Sequence, residues 1–156
     1  MTHSWFVLAW LVASSLLSSC ATSPGQSGGD SGARTPAEVN TQLGMAYMNE
    51  GMYEASMEKF KKALAQDSRL PAAHASIAIL YERLGENDLA DKHYRKAHDL
   101  KPNDPLILNN YGQYLCRSGR LDEADRMFRK ALEDPLYRNP AVVLINAGLC
   151  AEKRPD

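Results

Sequence analysis

The sequence predicts an all-α fold, a solenoid of helix–turn–helix repeats. A small residue, a glycine seven positions after it, and an aromatic residue followed by an alanine all recur at a spacing of 34 residues. Stacked repeats of this length bury a continuous core that no single repeat can form alone. The four registers are Gly44, Ala78 and Gly112; Gly51, Gly85 and Gly119; Phe60, Tyr94 and Phe128; and Ala63, Ala97 and Ala131.

The amino-acid composition is that of an ordinary folded globular protein. The chain has 156 residues, of which 24% are charged and 44% hydrophobic, as is typical of a globular domain. A net charge of −1, with no run of basic residues, gives no electrostatic reason to expect nucleic acid or an anionic membrane surface as a partner.

The chain opens with an apolar segment. The thirteen residues from Trp5 to Leu17 are apolar apart from two serines, too short to cross a bilayer and suited to the core of a secretory signal. Leu17-Ser18-Ser19-Cys20 resembles the bacterial lipobox, which implies removal of residues 1–19 and lipidation of Cys20. Ala21 resembles the following residue in lipoproteins exported to the outer membrane, so we expect a lipid anchor there, with the protein on the periplasmic face. The alternative is a short hydrophobic anchor that happens to contain a cysteine.

Residues 21–36 have the composition of a tether. They contain four glycines, three serines and two prolines and offer nothing that could bury a core. With the lipidated Cys20 we therefore expect residues 20–36 to form a flexible linker. Sixteen residues of such coil have a root-mean-square reach of about 20–24 Å.

Beyond the linker, the chain resembles the tetratricopeptide-repeat (TPR) family. The first helix of that repeat carries a bulky residue, a small residue and a further bulky residue. The small residue lets two helices approach closely, and the bulky residues fill the groove between them. The glycine that follows favours φ > 0 and ends the helix. We expect repeats at 37–70, 71–104 and 105–138. The matching first-helix residues are Leu43-Gly44 with Tyr47, Ile77-Ala78 with Tyr81, and Tyr111-Gly112 with Leu115.

The second helices carry their buried residues at i, i+4 and i+7, on one helix face. Ala90, Tyr94 and Ala97 form this pattern in the second repeat. Ser56 replaces the first alanine in repeat one. Proline breaks the chain between repeats, at Pro71, Pro102 and Pro105.

A partial fourth repeat is expected at 139–156. Ala147-Gly148 matches the small-residue position but lies 36 residues after Gly112, so the preceding turn, Asp134–Asn139, carries about two extra residues. The expected helix from Ala141 to Ala151 has no charged residue, whereas a terminal helix should be polar on its outer side. We expect a truncated form of a longer array; coverage of the apolar face by a partner is the alternative.

Two further cysteines, Cys116 and Cys150, lie on the first helices of neighbouring repeats. Export would place them in an oxidising compartment, so we expect a disulfide that closes a loop of about 34 residues. The alternative is a pair of buried thiols that pack as small hydrophobic groups.

The sequence gives no support to catalysis, a metal site or a cofactor. His93 and His98 are five residues apart, about 500° around a helix, and so do not share a face. His74 occupies a large-residue position of repeat two. Zinc-ligand spacings, a phosphate loop and a nucleophile elbow are all missing from the sequence. We therefore expect a protein that binds a partner rather than an enzyme.

The TPR resemblance implies that the first helices line a concave protein-binding groove. The groove residues so implied are mixed and partly apolar, and Met-bearing surfaces adapt to apolar segments. The alternative for each residue is packing within the solenoid. They are Thr41, Met45, Met48 and Asn49 in repeat one; Ile79, Glu82 and Arg83 in repeat two; and Leu106, Asn109, Gln113 and Arg117 in repeat three.

Two segments resemble the PilF/PilW family of type IV pilus biogenesis lipoproteins more closely than a generic repeat requires. They are Asn109-Asn110-Tyr111-Gly112, followed by Leu115-Cys116, and Asn146-Ala147-Gly148-Leu149-Cys150. The resemblance implies a non-catalytic pilotin whose solenoid binds the pilus secretin and promotes its localisation and multimerisation. A general periplasmic TPR adaptor that scaffolds envelope or cell-wall enzymes is the alternative.

Overall fold

The computed structural model describes residues 33–154, and the predicted all-α repeat fold is confirmed there. The signal segment, Cys20 and most of the expected linker lie outside the described residues. The helices are α1 (Pro36–Asn49), α2 (Tyr53–Gln66), α3 (Pro71–Arg83), α4 (Asn87–Leu100), α5 (Pro105–Arg117), α6 (Leu121–Ala131) and α7 (Pro140–Ala151). They pair as α1 with α2, α3 with α4 and α5 with α6, and α7 packs against α5 and α6.

Proline begins each first helix. Pro36, Pro71, Pro105 and Pro140 occupy the first helical position, where the missing N–H group has no intrahelical acceptor and the fixed φ suits a helix. Asp104 caps α5 by accepting hydrogen bonds from the backbone N–H groups of the two residues after Pro105, at 3.0 and 3.1 Å.

In each of the three complete repeats, a glycine follows the end of the first helix. Gly51, Gly85 and Gly119 have φ of 77°, 78° and 76°, which confirms the conformation expected from the sequence. In this left-handed region a side chain with a Cβ is strained, so glycine permits the tight reversal into each second helix.

In repeats one and three, the aromatic ring of the second helix covers the glycine of the first helix. A Cβ at Gly112 would lie 2.7 Å from the Phe128 ring, and one at Gly44 would clash with the Phe60 ring. The two helices can therefore approach only because these positions lack a side chain. Ser56 is also buried, and its hydroxyl donates a hydrogen bond to the Gly44 carbonyl at 2.8 Å.

Tyrosine rings join repeats two and three. The Tyr94 ring centroid lies 5.5 Å from that of Tyr111 and 5.1 Å from that of Tyr114. Aromatic pairs at such distances add to the burial of their area. The same apolar cluster extends through Phe128 to Val143 of α7, so the core continues through the junction between α5, α6 and α7.

The connection before α7 is longer than the others. The chain uses residues 67–70 and 101–104 to enter α3 and α5, but 132–139 to enter α7. The longer connection combines the extra residues seen in the sequence with an early end of α6 at Ala131.

Within residues 33–154, no helix is both long and apolar enough to cross a membrane.

Candidate functional site

The first helices present most of the predicted groove residues at the surface. Met45 and Leu106 are 41% and 58% exposed, which is high for large apolar side chains. Polar residues accompany them, with Asn49, Arg83 and Arg117 exposed and Ile79, Glu82 and Gln113 partly buried. These side chains remain available to a partner.

Three predicted groove residues instead lie inside the solenoid. Thr41, Met48 and Asn109 are each 3% exposed. The Thr41 hydroxyl donates a hydrogen bond to the Ala37 carbonyl at 2.8 Å, and Asn109 Oδ1 accepts one from Asn146 Nδ2 at 2.9 Å. Their contacts indicate that these three residues support the groove by packing inside the solenoid and do not line its surface.

A cavity of about 290 Å³ lies along the first helices. Apolar side chains from three repeats form much of its wall, among them Met45, Ala75, Ile79 and Leu106. Small pockets with apolar walls and a few polar groups are typical binding sites. We call this the apolar pocket; it suits one or two apolar side chains of a bound segment.

Two charged residues at the apolar pocket, Lys101 and Asp104, lie in the connection between α4 and α5, outside the first-helix positions that the TPR resemblance implies. Lys101 Nζ lies 2.7 Å from Asp104 Oδ2, and both residues line the pocket with Glu38. Burial raises the pKa of Asp104, but hydrogen bonds from Lys101 and from the N–H of Ile107 outweigh it, so the pKa lies below its usual range. Asp104 is therefore ionised at neutral pH.

The charges at the other end of the first helices bridge neighbouring repeats. Arg117 of α5 forms an ion pair with Glu82 of α3, and Glu82 also accepts a hydrogen bond from the Tyr94 hydroxyl at 3.2 Å. Arg83 donates to the Met48 carbonyl of α1 at 3.0 Å. These contacts fix the relative positions of α1, α3 and α5.

The two cysteines come together where the groove reaches α7. The Cα atoms of Cys116 and Cys150 lie 5.7 Å apart and the structure places their Sγ atoms in contact; that Cα separation is one a disulfide can span. The Asn109–Asn146 hydrogen bond joins the same two helices. Both links use residues from the two segments that resemble the PilF/PilW family.

Two of the histidines form a pair that sequence reasoning missed. His74 Nδ1 and His93 Nδ1 are 3.1 Å apart, and His74 Nε2 is 3.1 Å from the Ser68 carbonyl. A carbonyl only accepts, so Nε2 of His74 carries its proton and Nδ1 accepts one from His93. Burial first, then the neighbouring His74 and Lys92, lowers the pKa of His93 to about 4. In the described part of the chain, no cluster of three or more His, Cys, Asp or Glu residues could hold a metal ion.

Comparison with known proteins agrees with this architecture. Residues 37–69 and 71–104 match the tetratricopeptide repeat family. The type IV pilus assembly protein PilF of Pseudomonas aeruginosa is 34% identical over 135 residues, which cover 85% of this chain and 54% of PilF.

Two solved structures share the fold and a substantial part of the sequence. The crystal structure of PilW, described as a widely conserved type IV pilus biogenesis factor, has a TM-score of 0.74 and 36% identity over 78% of this chain and 56% of PilW. The structure of Pseudomonas aeruginosa PilF has a TM-score of 0.73 and 33% identity over 76% of this chain and 53% of that one. This chain thus spans about half the length of these relatives. The chain is a tetratricopeptide-repeat protein that resembles PilF and PilW of type IV pilus biogenesis.

Proposed function

We propose that the protein is a non-enzymatic outer-membrane lipoprotein of type IV pilus assembly that binds the pilus secretin and promotes its multimerisation. The observation that carries the proposal is the similarity to PilF, which covers 85% of the chain. The asparagines that carry the resemblance form a hydrogen bond between α5 and α7, and the cysteines that carry it lie opposite each other on the same two helices.

Recognition is assigned to the first-helix groove. The apolar pocket would accept apolar side chains of a secretin segment, and the ion pair of Lys101 with Asp104 beside it would contact polar backbone or side-chain groups. Methionine is unbranched and adapts its shape to an apolar partner, which suits the exposed position of Met45. Specificity would then come from the few polar groups at the edge of the pocket.

Localisation is assigned to Cys20. Acylation of this cysteine would hold the protein at the periplasmic face of the outer membrane, and residues 21–36 would let the solenoid reorient. An anchor of this kind raises the effective concentration of one binding partner near another on the same membrane. Lipid and groove together would thus bring the secretin to its site of assembly.

A disulfide between Cys116 and Cys150 is part of the proposal. It is supported by the Cα separation of 5.7 Å and by the oxidising compartment that export implies. It would fix α7 to α5 at the end of the groove. Mass spectrometry of the alkylated protein, with and without reductant, tests whether the two thiols are oxidised.

The main test measures heat-stable secretin multimers in outer membranes. A strain deleted for this gene is complemented with residues 1–156, with the Cys20→Ala variant, or with empty vector. We expect multimers to vanish on deletion, to return with the unaltered chain, and to fall with Cys20→Ala. Unchanged multimers after deletion would contradict the proposal and favour the general periplasmic adaptor.

A further inference from the structure

His74 and His93 form a pair that the proposed function does not use. His74 lies on α3 and His93 on α4, and their Nδ1 atoms are 3.1 Å apart. The ring centroids are 5.2 Å apart, so the two imidazoles face each other through these nitrogens. Neither histidine lines the apolar pocket. The pair therefore brings two nitrogen donors from different helices to one point in repeat two.

The separation of the two nitrogens suits a single metal ion. Zinc lies about 2.0–2.1 Å from an imidazole nitrogen that binds it. Two nitrogens 3.1 Å apart can both lie at that distance from one ion, with an N–ion–N angle of about 95–102°. This angle lies between those of square-planar and tetrahedral coordination, the geometries of the divalent ions that imidazole suits. The rings would turn towards the ion, which would replace the hydrogen bond between them.

His74 already makes the hydrogen bond that orients a metal-binding histidine. Its Nε2 donates to the Ser68 carbonyl at 3.1 Å, so its Nδ1 has a lone pair that faces His93. Histidines that bind metals almost always donate their other N–H group to a carbonyl, a carboxylate or water, which fixes the ring and its tautomer. The Tyr81 ring packs beside His93, with centroids 5.5 Å apart. Both imidazoles therefore have neighbours that restrict their orientation.

The protonation state of the pair also suits metal binding. Burial lowers the pKa of His74 and lowers that of His93 to about 4, so both rings are neutral at pH 7, as metal ligands must be. The charged groups around the pair are Lys92 and Lys96 of α4 and Asp67 of the connection between α2 and α3. The two ammonium groups repel a cation and the carboxylate attracts it, so the net effect of these charges is to weaken binding.

The pair is open to solvent on one side. His74 is 8% exposed, whereas His93 is only partly buried, so an ion would approach past the His93 ring. In the described part of the chain, no third His, Cys, Asp or Glu joins the pair as a ligand. Water would therefore complete the coordination of a bound ion.

We propose that His74 and His93 bind a divalent transition-metal ion such as Zn²⁺ through their Nδ1 atoms. The proton that His93 donates from Nδ1 moves to its own Nε2, so each ring stays neutral and no net proton is released. The ion links α3 to α4 and stabilises repeat two. This site lies outside the groove and adds a metal-binding property to the function proposed above.

The test measures Zn²⁺ binding to residues 1–156 by isothermal titration calorimetry at pH 7.5. Every protein tested carries His3→Gln and Cys20→Ser, because these two residues could bind zinc themselves. We expect one ion to bind per chain. Because the ion binds the folded state, saturating Zn²⁺ should raise the thermal midpoint by at least about 3 °C.

Two variants on α4 locate the ion. His93→Gln removes one ligand and should weaken binding at least about tenfold. Lys92→Gln, at the exposed neighbouring residue, removes a like charge and should strengthen binding about two- to fivefold. Circular dichroism checks that each variant is folded. Undiminished binding by His93→Gln would overturn the proposal.

Nuclear magnetic resonance of the imidazole nitrogens tests the site without any substitution at the pair. Adding Zn²⁺ should shift the Nδ1 signals of His74 and His93 and leave those of His98 in place. Lack of saturable binding would overturn the proposal, as would zinc-dependent shifts at His98 with none at the pair. None of these measurements involves a secretin, so this proposal and the proposed function fail independently.

Discussion

Gly112 and Gly148 occupy equivalent positions in successive first helices, but their surroundings are opposite. A Cβ at Gly112 would lie 2.7 Å from the Phe128 ring, whereas one at Gly148 would meet open space. We expect Gly112→Ala to lower the free energy of unfolding by about 1–3 kcal/mol, because overpacking displaces the ring. Gly148→Ala should raise it by about 0.5–1 kcal/mol, because alanine favours the helix.

Urea denaturation of the two variants checks this prediction. The substitution is chemically identical in both, so the difference reports only the neighbouring side chain. Equal effects of the two substitutions on the midpoint would show that the α5–α6 interface relaxes without cost.

The His74–His93 pair predicts a loss of stability in mild acid. Burial lowers the pKa of His93 from 6.5 to about 4, so the unfolded chain binds a proton between these values and the folded chain does not. The free energy of unfolding should therefore fall as the pH drops from about 6.5 towards 4, by up to about 1.4 kcal/mol per pH unit for one proton.

Thermal melts between pH 7 and 4.5 test the histidine prediction. In this range the carboxylates whose pKa is lowered, such as Asp91 and Asp104, stay ionised. His93→Gln should flatten the slope relative to that of the unaltered chain. An unchanged slope in His93→Gln would contradict the assignment.

At the scale of the helices, α7 depends on its links to α5. If the proposed disulfide is present, Cys150→Ser should lower the free energy of unfolding by about 4 kcal/mol, as the chain-entropy model gives for a loop of this length. Amide hydrogen exchange should rise most in α7 and least in α1 and α2. Cys116→Ser should reproduce the effect, and reductant should have no further effect on either variant. Equal exchange throughout the chain would contradict a local role.

The helices and their pairing were predictable from sequence because the signals are local. Proline at a helix start and glycine at its end act through their own backbone conformation, so Pro71 and Gly85 mark α3 correctly. The end of α6 was harder to predict from sequence, because the helix stops at Ala131, where the longer connection begins. Nothing in the local composition specifies how that connection is divided between helix and loop.

At the scale of the whole molecule, groove binding should depend on exposed apolar side chains of the first helices. Leu106 lines the apolar pocket, whereas Leu136, 85% exposed, lies in the connection before α7. We expect Leu106→Gln to weaken binding of the purified secretin at least about fivefold and Leu136→Gln to leave it within about twofold. Surface plasmon resonance measures both, and equal weakening would place the binding surface elsewhere.

The resemblance to the tetratricopeptide-repeat family implied which positions line a groove, but it did not predict which of those side chains are buried. Thr41, Met48 and Asn109 were assigned by position alone, and their burial depends on packing between neighbouring helices. Lys101 and Asp104 lie outside the first-helix positions, so a rule based on those positions could not include them. The His74–His93 contact likewise depends on how α3 and α4 meet.

A disulfide between Cys116 and Cys150 would also make the two ends of the protein respond differently to mechanical tension. If the two sulfurs are bonded, a force applied to the chain ends cannot extend residues 117–149. The contour length of this segment, about 110 Å, then does not contribute to the extension of the chain. Extension would then be confined mainly to the repeats nearer the N-terminus. The joint between α5 and α7 would keep its shape under a tension that opens α1 and α2.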